Sequence, residues 1–250
     1  MTITTDFPLL RLRGVSKVFG GVQALTEVNL MVRGGEVVAL VGDNAAGKST
    51  IARMVAGIYS PDAGSIELDG HPVAIGSAKA ALDMGIATVF QEFALVEELD
   101  VTSNIFLGRE LVSTGGLLDQ LRMDALARGY LGRLRTRIAD LRQPLRGLSS
   151  GQRQCVAIAR TLVTQPRLVV LDEPTASLSV SQTAEVLSYI EDLRDMGLGI
   201  ILISHNLTDV RAVADRVEVL RHGRNNGSFV AASATYEEII AAITGATRAG

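Results

Sequence analysis

Gly42-Asp43-Asn44-Ala45-Ala46-Gly47-Lys48-Ser49 is the stretch from which the rest of this chain can be read. It satisfies the pattern G-x-x-x-x-G-K-[ST], and it stands between a strand-like and a helix-like segment, the context such a loop requires. Ahead of it, Glu36-Val37-Val38-Ala39-Leu40-Val41 is a near-continuous apolar run of the kind found in strands buried on both faces. Behind it, Ile51, Met54, Val55 and Ile58 recur at i, i+3, i+4 and i+7. That spacing predicts a helix with all four on one face, and Pro61 and Gly64 close the unit. In such a loop backbone N–H groups converge on phosphate oxygens, and side chains at the glycine positions would block the approach. The positive end of the following helix adds to the attraction. Gly42 to Thr50 therefore form the expected phosphate-binding set: Lys48 reaches the β- and γ-phosphates of a nucleotide, and the Ser49 hydroxyl ligates Mg²⁺.

A second apolar run, Leu168-Val169-Val170-Leu171, ends in Asp172-Glu173. Alone, a strand ending in two acids is often just a strand entering solvent. Beside a phosphate loop, one carboxylate can hold Mg²⁺ and the other can polarise an attacking water, the two tasks phosphoryl transfer needs. Upstream, Leu148-Ser149-Ser150-Gly151-Gln152 precedes a predicted helix with Cys155, Ile158, Ala159 and Leu162 on one face. Serine at such a start satisfies free N–H groups and is common as a cap.

Around these motifs the texture alternates. Residues 1–35 carry short alternating stretches ending at Gly34-Gly35, which predicts a small antiparallel sheet. Strand-like pieces follow at 65–68 and 86–90, then a helical stretch from about 95 to 165 without strand signals. Its arginines, Arg122, Arg128, Arg133, Arg135, Arg137, Arg142 and Arg146, read as a solvated surface. Strand, helix and strand then resume at 168–171, at Val186, Leu187, Ile190 and Leu193, at 199–203, and at 216–220. This order predicts an α/β core with a separate helical lobe.

Composition narrows the class further. A net charge of −3 lacks the electrostatic footprint of a nucleic-acid-binding domain, so no nucleic-acid partner is expected. A single cysteine cannot form an internal disulfide, which suits a cytosolic product, and Cys155 reads as a small buried thiol. The first eight residues carry no pattern of a secretion signal, and the apolar runs are of strand length, far short of a membrane span.

Taken together, the motifs resemble the ATP-binding cassette (ABC) family over about residues 10–229. Leu148 to Gln152 is similar to the family's LSGGQ signature, with Ser150 in place of the first glycine. The resemblance implies a phosphate-loop NTPase core of ABC type with an N-terminal antiparallel β-subdomain and an α-helical subdomain inserted at roughly 92–165, all within one domain of residues 1–250. It also implies roles. Gln91 matches the Q-loop glutamine, a γ-phosphate sensor and Mg²⁺ ligand, and Asp172 shares the metal. Glu173 handles water, His205 is the switch histidine, and Phe19 stacks on adenine. Residues 176–179 resemble the D-loop. His71 and His222 match nothing and read as surface positions.

In the family two cassettes pack head to tail around two ATP molecules. Ser149, Ser150, Gly151 and Gln152 would thus act on the partner's nucleotide, the partner being a second copy or a paralogue. Transmembrane permease subunits, an indirectly coupled solute-binding protein and a peripheral place on the cytoplasmic membrane face follow from the same resemblance. Three phrases, residues 17–25, 104–110 and 203–207, are similar to the ATPases of ribose- and xylose-class importers, many of which carry two fused cassettes. Ala45, Ser150 and Ser179 depart from the usual pattern: Ala45 and Ser150 replace glycines, and Ser179 stands where many relatives have Asp. Two alternatives stay open on these residues: an ABC ATPase of a soluble process, and a nucleotide-dependent dimer clamp with little hydrolysis.

Overall fold

The computed structural model describes residues 7–90, 95–136 and 138–246. Residues 1–6 of the stretch read for a leader, Gln91 and Arg137 lie outside them. The apolar runs become the parallel strands of one sheet: β3 (Val37–Val41), β6 (Ile86–Val89), β7 (Leu168–Asp172), β8 (Gly199–Ile203) and β9 (Arg216–Arg221). With β10 (Arg224–Val230) antiparallel at its edge, the order is β10-β9-β3-β8-β7-β6. The alternation of side chains along each strand divides the core. Val169, Leu171, Ile200 and Leu202 face one apolar cluster, whereas Leu168, Val170, Ile201 and Ile203 face another.

The second of these clusters is closed by an antiparallel sheet of order β2-β1-β4-β5, made of β1 (Leu10–Phe19), β2 (Val22–Val32), β4 (Ala63–Leu68) and β5 (His71–Val73). The first 35 residues thus supply two of its strands, as their pattern predicts. Helix α1 (Lys48–Val55) lies in the same cluster through Ile51, Met54 and Val55. Ile58 does not join them. The helix ends at Val55, Gly57 takes φ 75°, and Ile58 is 49% exposed. A Cβ on Gly57 would stand 2.3 Å from the Ser77 carbonyl oxygen, so the chain turns there against the segment entering α2 (Ala78–Asp83). The apolar periodicity runs past the point at which this backbone contact stops the helix.

The first cluster is covered by α3 (Val101–Phe106), α4 (Gln120–Arg133), α5 (Ser150–Leu162) and α6 (Val180–Asp195). Cys155, Ile158, Ala159 and Leu162 are buried on α5, and burial pushes the Cys155 thiol up to about 12. On α6 Val186, Ile190 and Leu193 are buried. Apolar contact is continuous from α4 through α5 to the sheet residues Val169 and Leu171. A third cluster packs α7 (Leu207–Val213) and α8 (Tyr236–Thr244) against Ala39, Val41, Val217 and Val219. Among the described residues no helix is long and apolar enough to cross a membrane.

Central β8 is the most sensitive test of this core, because β3 and β7 flank it on both sides. Ile201→Ala removes a side chain that is 0% exposed. It should cost about 2–5 kcal/mol, the range for aliphatic truncation in a core. Urea unfolding should show a lower midpoint at an unchanged slope.

Candidate functional site

The phosphate loop is held by how closely backbone approaches backbone. Gly42 leaves β3 at φ 148°, and a Cβ there would lie 2.1 Å from the Leu220 carbonyl oxygen in β9. Gly47 takes φ 105°, where a Cβ would lie 2.6 Å from Leu25 Cδ2 and 3.0 Å from the Ala24 oxygen. A side chain at Gly42 would displace β9, and one at Gly47 would be strained by its φ and would push the Leu25 side chain aside. Ala45, in contrast, adopts φ 63° with a methyl attached, so the left-handed conformation is kept without glycine.

Helix α1 starts directly at Lys48, has no side-chain cap, and carries no acidic residue in its first turn. Its first N–H groups are therefore available to an external anion. Lys48 is 8% exposed and donates from Nζ to the carbonyls of Gly42 (2.6 Å) and Asp43 (2.9 Å). Burial lowers its pKa against the opposing pull of Glu173, Asp172 and Asp43. Lysine coordinates backbone oxygens here that a phosphate oxygen can replace.

From the neighbouring strand β7 come the two carboxylates. Asp172 is pushed above the usual carboxylate range, first by burial and next by the adjacent Glu173 charge, while Arg53 and Lys48 pull it back. Glu173 sits just past the strand at φ 52°, its N–H donating to the Ile203 carbonyl at 2.9 Å. That bond ties it to β8, whose continuation brings His205 Nδ1 to 2.8 Å from Glu173 Oε2. The loop, the two acids and Val22, Gln23 and Ala24 of β2 line one cavity of about 370 Å³.

This geometry tests the donor set for MgATP. A cradle without room for a Cβ, an uncapped helix start, a hydroxyl at Ser49 and a carboxylate at Asp172 line one space, and they fit a polyphosphate with a hard cation. Of the expected residues, Asn44, Ala45, Ala46, Gly47, Lys48, Ser49, Thr50, Asp172 and Glu173 line it. His205 touches it through Glu173. Phe19 pairs in register with Val22, one of the lining residues, and its ring stands edge-on to Tyr59 at 4.9 Å, with Lys17 Nζ 5.5 Å away. Gln91 lies outside the described residues.

Ser149, Ser150, Gly151 and Gln152 do not line the cavity. Ser149 caps α5 in a reciprocal box with Gln152, and Gly151 packs so close to α6 that a Cβ would meet Glu185 Oε2 at 3.0 Å. Ser179 caps α6 in the same way with Gln182. Serine and aspartate are interchangeable as helix caps, which accounts for Ser179 locally. His71 and His222 are exposed, as their lack of a motif suggests. Sequence reasoning missed Arg53 as a modulator of Asp172, and Gln23 and Ala24 as wall residues. Arg53 could have been found from its helix, one turn after Ser49. Gln23 and Ala24 stand in the phrase 17–25 that resembles the sugar-importer ATPases, but nothing in it shows that they meet the loop.

A buried strand, a glycine-defined loop and an uncapped helix facing two strand-end carboxylates define a phosphate-loop nucleotide fold. The ABC transporter family model matches residues 25–176. A ribose import ATP-binding protein of Burkholderia ambifaria is 40% identical over 95% of this chain and 47% of its own length. A xylose/arabinose import ATP-binding protein of Sulfolobus acidocaldarius is 41% identical over 86% of each chain. The solved structure of a nucleotide-free ATP-binding cassette from an ABC transporter superimposes with a TM-score of 0.82, at 24% identity over 95% of this chain and 96% of that one. This chain belongs to the ABC transporter family. It spans about half the length of the ribose-import relative.

Two outcomes follow from the geometry. Because Asp172 is raised in the folded chain, the folded state holds its proton to higher pH than the unfolded state does. Stability therefore falls as pH rises through the interval above the usual carboxylate value. Asp172→Asn should raise the melting temperature of the nucleotide-free chain at pH 7, and the gain should shrink towards pH 4. Ala45→Gly removes a left-handed penalty of about 1–2 kcal/mol but adds about 0.4–1 kcal/mol of unfolded-state entropy. The urea midpoint should rise slightly or stay level.

Proposed function

We propose that this chain is the ATP-binding and ATP-hydrolysing subunit of an ABC importer, with a monosaccharide as the transported solute. The convergence of Lys48, Asp172, Glu173 and, through Glu173, His205 on the loop cavity carries the hydrolytic reading. The names of the ribose, xylose and arabinose import relatives support the import and sugar assignments. Lys48 exchanges the carbonyls of Gly42 and Asp43 for the β- and γ-phosphate oxygens. Glu173 accepts the proton of the attacking water, and His205, bonded to its carboxylate, fixes its orientation. Mg²⁺, held by Ser49 and Asp172 with Gln91, supplies charge neutralisation at the phosphates when bound.

A single chain leaves Ser149 to Gln152 off its own cavity, which supports a second cassette supplying them from outside. The exposed Ser149 would then present the start of α5 to the partner's γ-phosphate. Residues 92–165 serve in this reading as the inserted helical subdomain. Its α3 side, over 95–109, faces permease subunits at the cytoplasmic membrane surface, and a solute-binding protein delivers the sugar from the other side.

Glu173→Gln keeps the size of the side chain and removes its basicity. ATP should still bind, phosphate release should slow by about 10²–10⁴-fold, and an ATP-bound dimer should build up on size-exclusion chromatography. Adding Ser149→Arg should disperse that dimer. Near-normal turnover in Glu173→Gln would refute the assignment, since Asp172, the other carboxylate lining the cavity among the described residues, is committed to the metal.

A further inference from the structure

A larger groove, of about 680 Å³, lies away from the phosphate loop and shares no lining residue with it. It opens at the seam between β1 and β2 of the antiparallel sheet and the β9–β10 hairpin of the main sheet. Arg11, Arg13, Arg33 and Arg216 all line it. The pairing of the strands explains the crowding. Arg11 stands directly opposite Met31, and Arg33 follows β2 directly, after Val32 has paired with Leu10. Arg11 and Arg33 thus both come to one end of the β1–β2 pair, where they line the same groove. Like charges gathered in one groove repel one another unless something compensates them.

Two of the four guanidiniums are compensated from within. Arg216 is committed to Glu36 at 3.0 Å, to Glu218 and to the Met31 carbonyl. Arg13 holds Glu67 at 2.6 Å, although Glu67 stands opposite Arg11 in the strand register. The other two form no ion pair among the described residues. Arg11 reaches only the weak acceptor Met31 Sδ, at 3.7 Å, and the Arg33 side chain makes no hydrogen bond or ion pair among the described residues. The polar side chains of the groove are occupied elsewhere: Asn225 bonds both the N–H and the carbonyl of Asn29, and Ser228 donates to Glu218. The uncommitted donors of the groove are therefore the two planar forks of Arg11 and Arg33, beside a thioether, while the Glu218 carboxylate in the lining is held by Arg216 and Ser228.

We propose that this groove is a second ligand site, which binds the phosphate of a small phosphorylated metabolite between Arg11 and Arg33. A phosphomonoester presents three terminal oxygens and close to two negative charges, so it can engage both guanidinium forks at once. The groove volume falls within the range of small-molecule sites, and Leu12, Leu30 and Met31 provide an apolar wall for the body of the ligand. The site does not depend on ATP hydrolysis.

The test uses the ¹⁵N-labelled full chain and three probes: ribose 5-phosphate, inorganic phosphate and ribose. Ribose 5-phosphate should shift the amides of Asn29, Asn225 and Gly227 in the groove. Inorganic phosphate should shift the same amides, and uncharged ribose should leave them in place. Any phosphate reaching the loop reports separately at Gly47 and Lys48. Arg11→Gln with Arg33→Gln should abolish the groove shifts while keeping those at the loop. Arg33→Gln alone, at an exposed position, should weaken groove binding about tenfold or more, as loss of a charged hydrogen bond implies. Shifts confined to the loop, equal shifts with ribose, or groove shifts that survive in the variants would each overturn the proposal. ATPase activity plays no part in the readout, so the proposal and the hydrolytic assignment fail independently.

Discussion

Everything in this molecule depends on one close approach, that of the backbone after β3 to the backbone of β9. Val41 pairs with Val219, and one residue later Gly42 passes so near the Leu220 carbonyl that no side chain fits. The turn that follows β9 completes the clamp. Gly223 donates its N–H to the Ala46 carbonyl at 3.1 Å and accepts from the Thr26 N–H at 2.7 Å. A Cβ on Gly223 would lie 2.5 Å from the Ala24 oxygen. Loop, β2 and the β9–β10 turn are thus joined by main chain alone, which gives a phosphate cradle its rigidity. The N–H groups at the start of α1 are left aimed at a site rather than at a cap.

Charge placed on this frame is in tension. Lys48 is partly desolvated, which opposes its protonation, yet three carboxylates around it favour the charged form. Asp172 is buried beside Glu173, so its ionised form is disfavoured without a cation. Such a site is less stable empty than its apolar surroundings would allow. A bound polyphosphate with a hard cation would relieve both strains, with anionic oxygens at Lys48 and positive charge at Asp172. Ala45 adds a small backbone strain in the same loop. Strain gathered at a functional site and offset by a well-packed core is the expected pattern. Here the core is the set of parallel strands filled from alternate faces.

Much of this was legible along the chain. The parallel strands show as apolar runs because burial on both faces removes the need for alternation, and α5 and α6 show by their periodicity. Other parts were not. Ile58 continues the apolar rhythm of α1 but is cut off by a turn at Gly57, whose cause lies 20 residues downstream at Ser77. β10 carries Arg224, Asn225 and Asn226 at an exposed edge, so no hydrophobic pattern announces it. The wall formed by Gln23 and Ala24 comes from a hairpin whose phrase 17–25 resembles relatives without showing that it meets the loop.

The sequence by itself determined the phosphate loop, the acidic strand end, the capped signature helix and the family, because each is a local pattern of residue types with a local physical reason. Tertiary structure alone decided which of these meet. It joined Glu173 to His205 across two strands, brought β2 to the loop, and left Ser149 to Gln152 away from their own chain's cavity. It also placed Arg11 and Arg33 in one groove, with no ion pair to either side chain among the described residues. Strand register and backbone approach act between residues far apart in the chain, and a one-dimensional pattern carries no record of them.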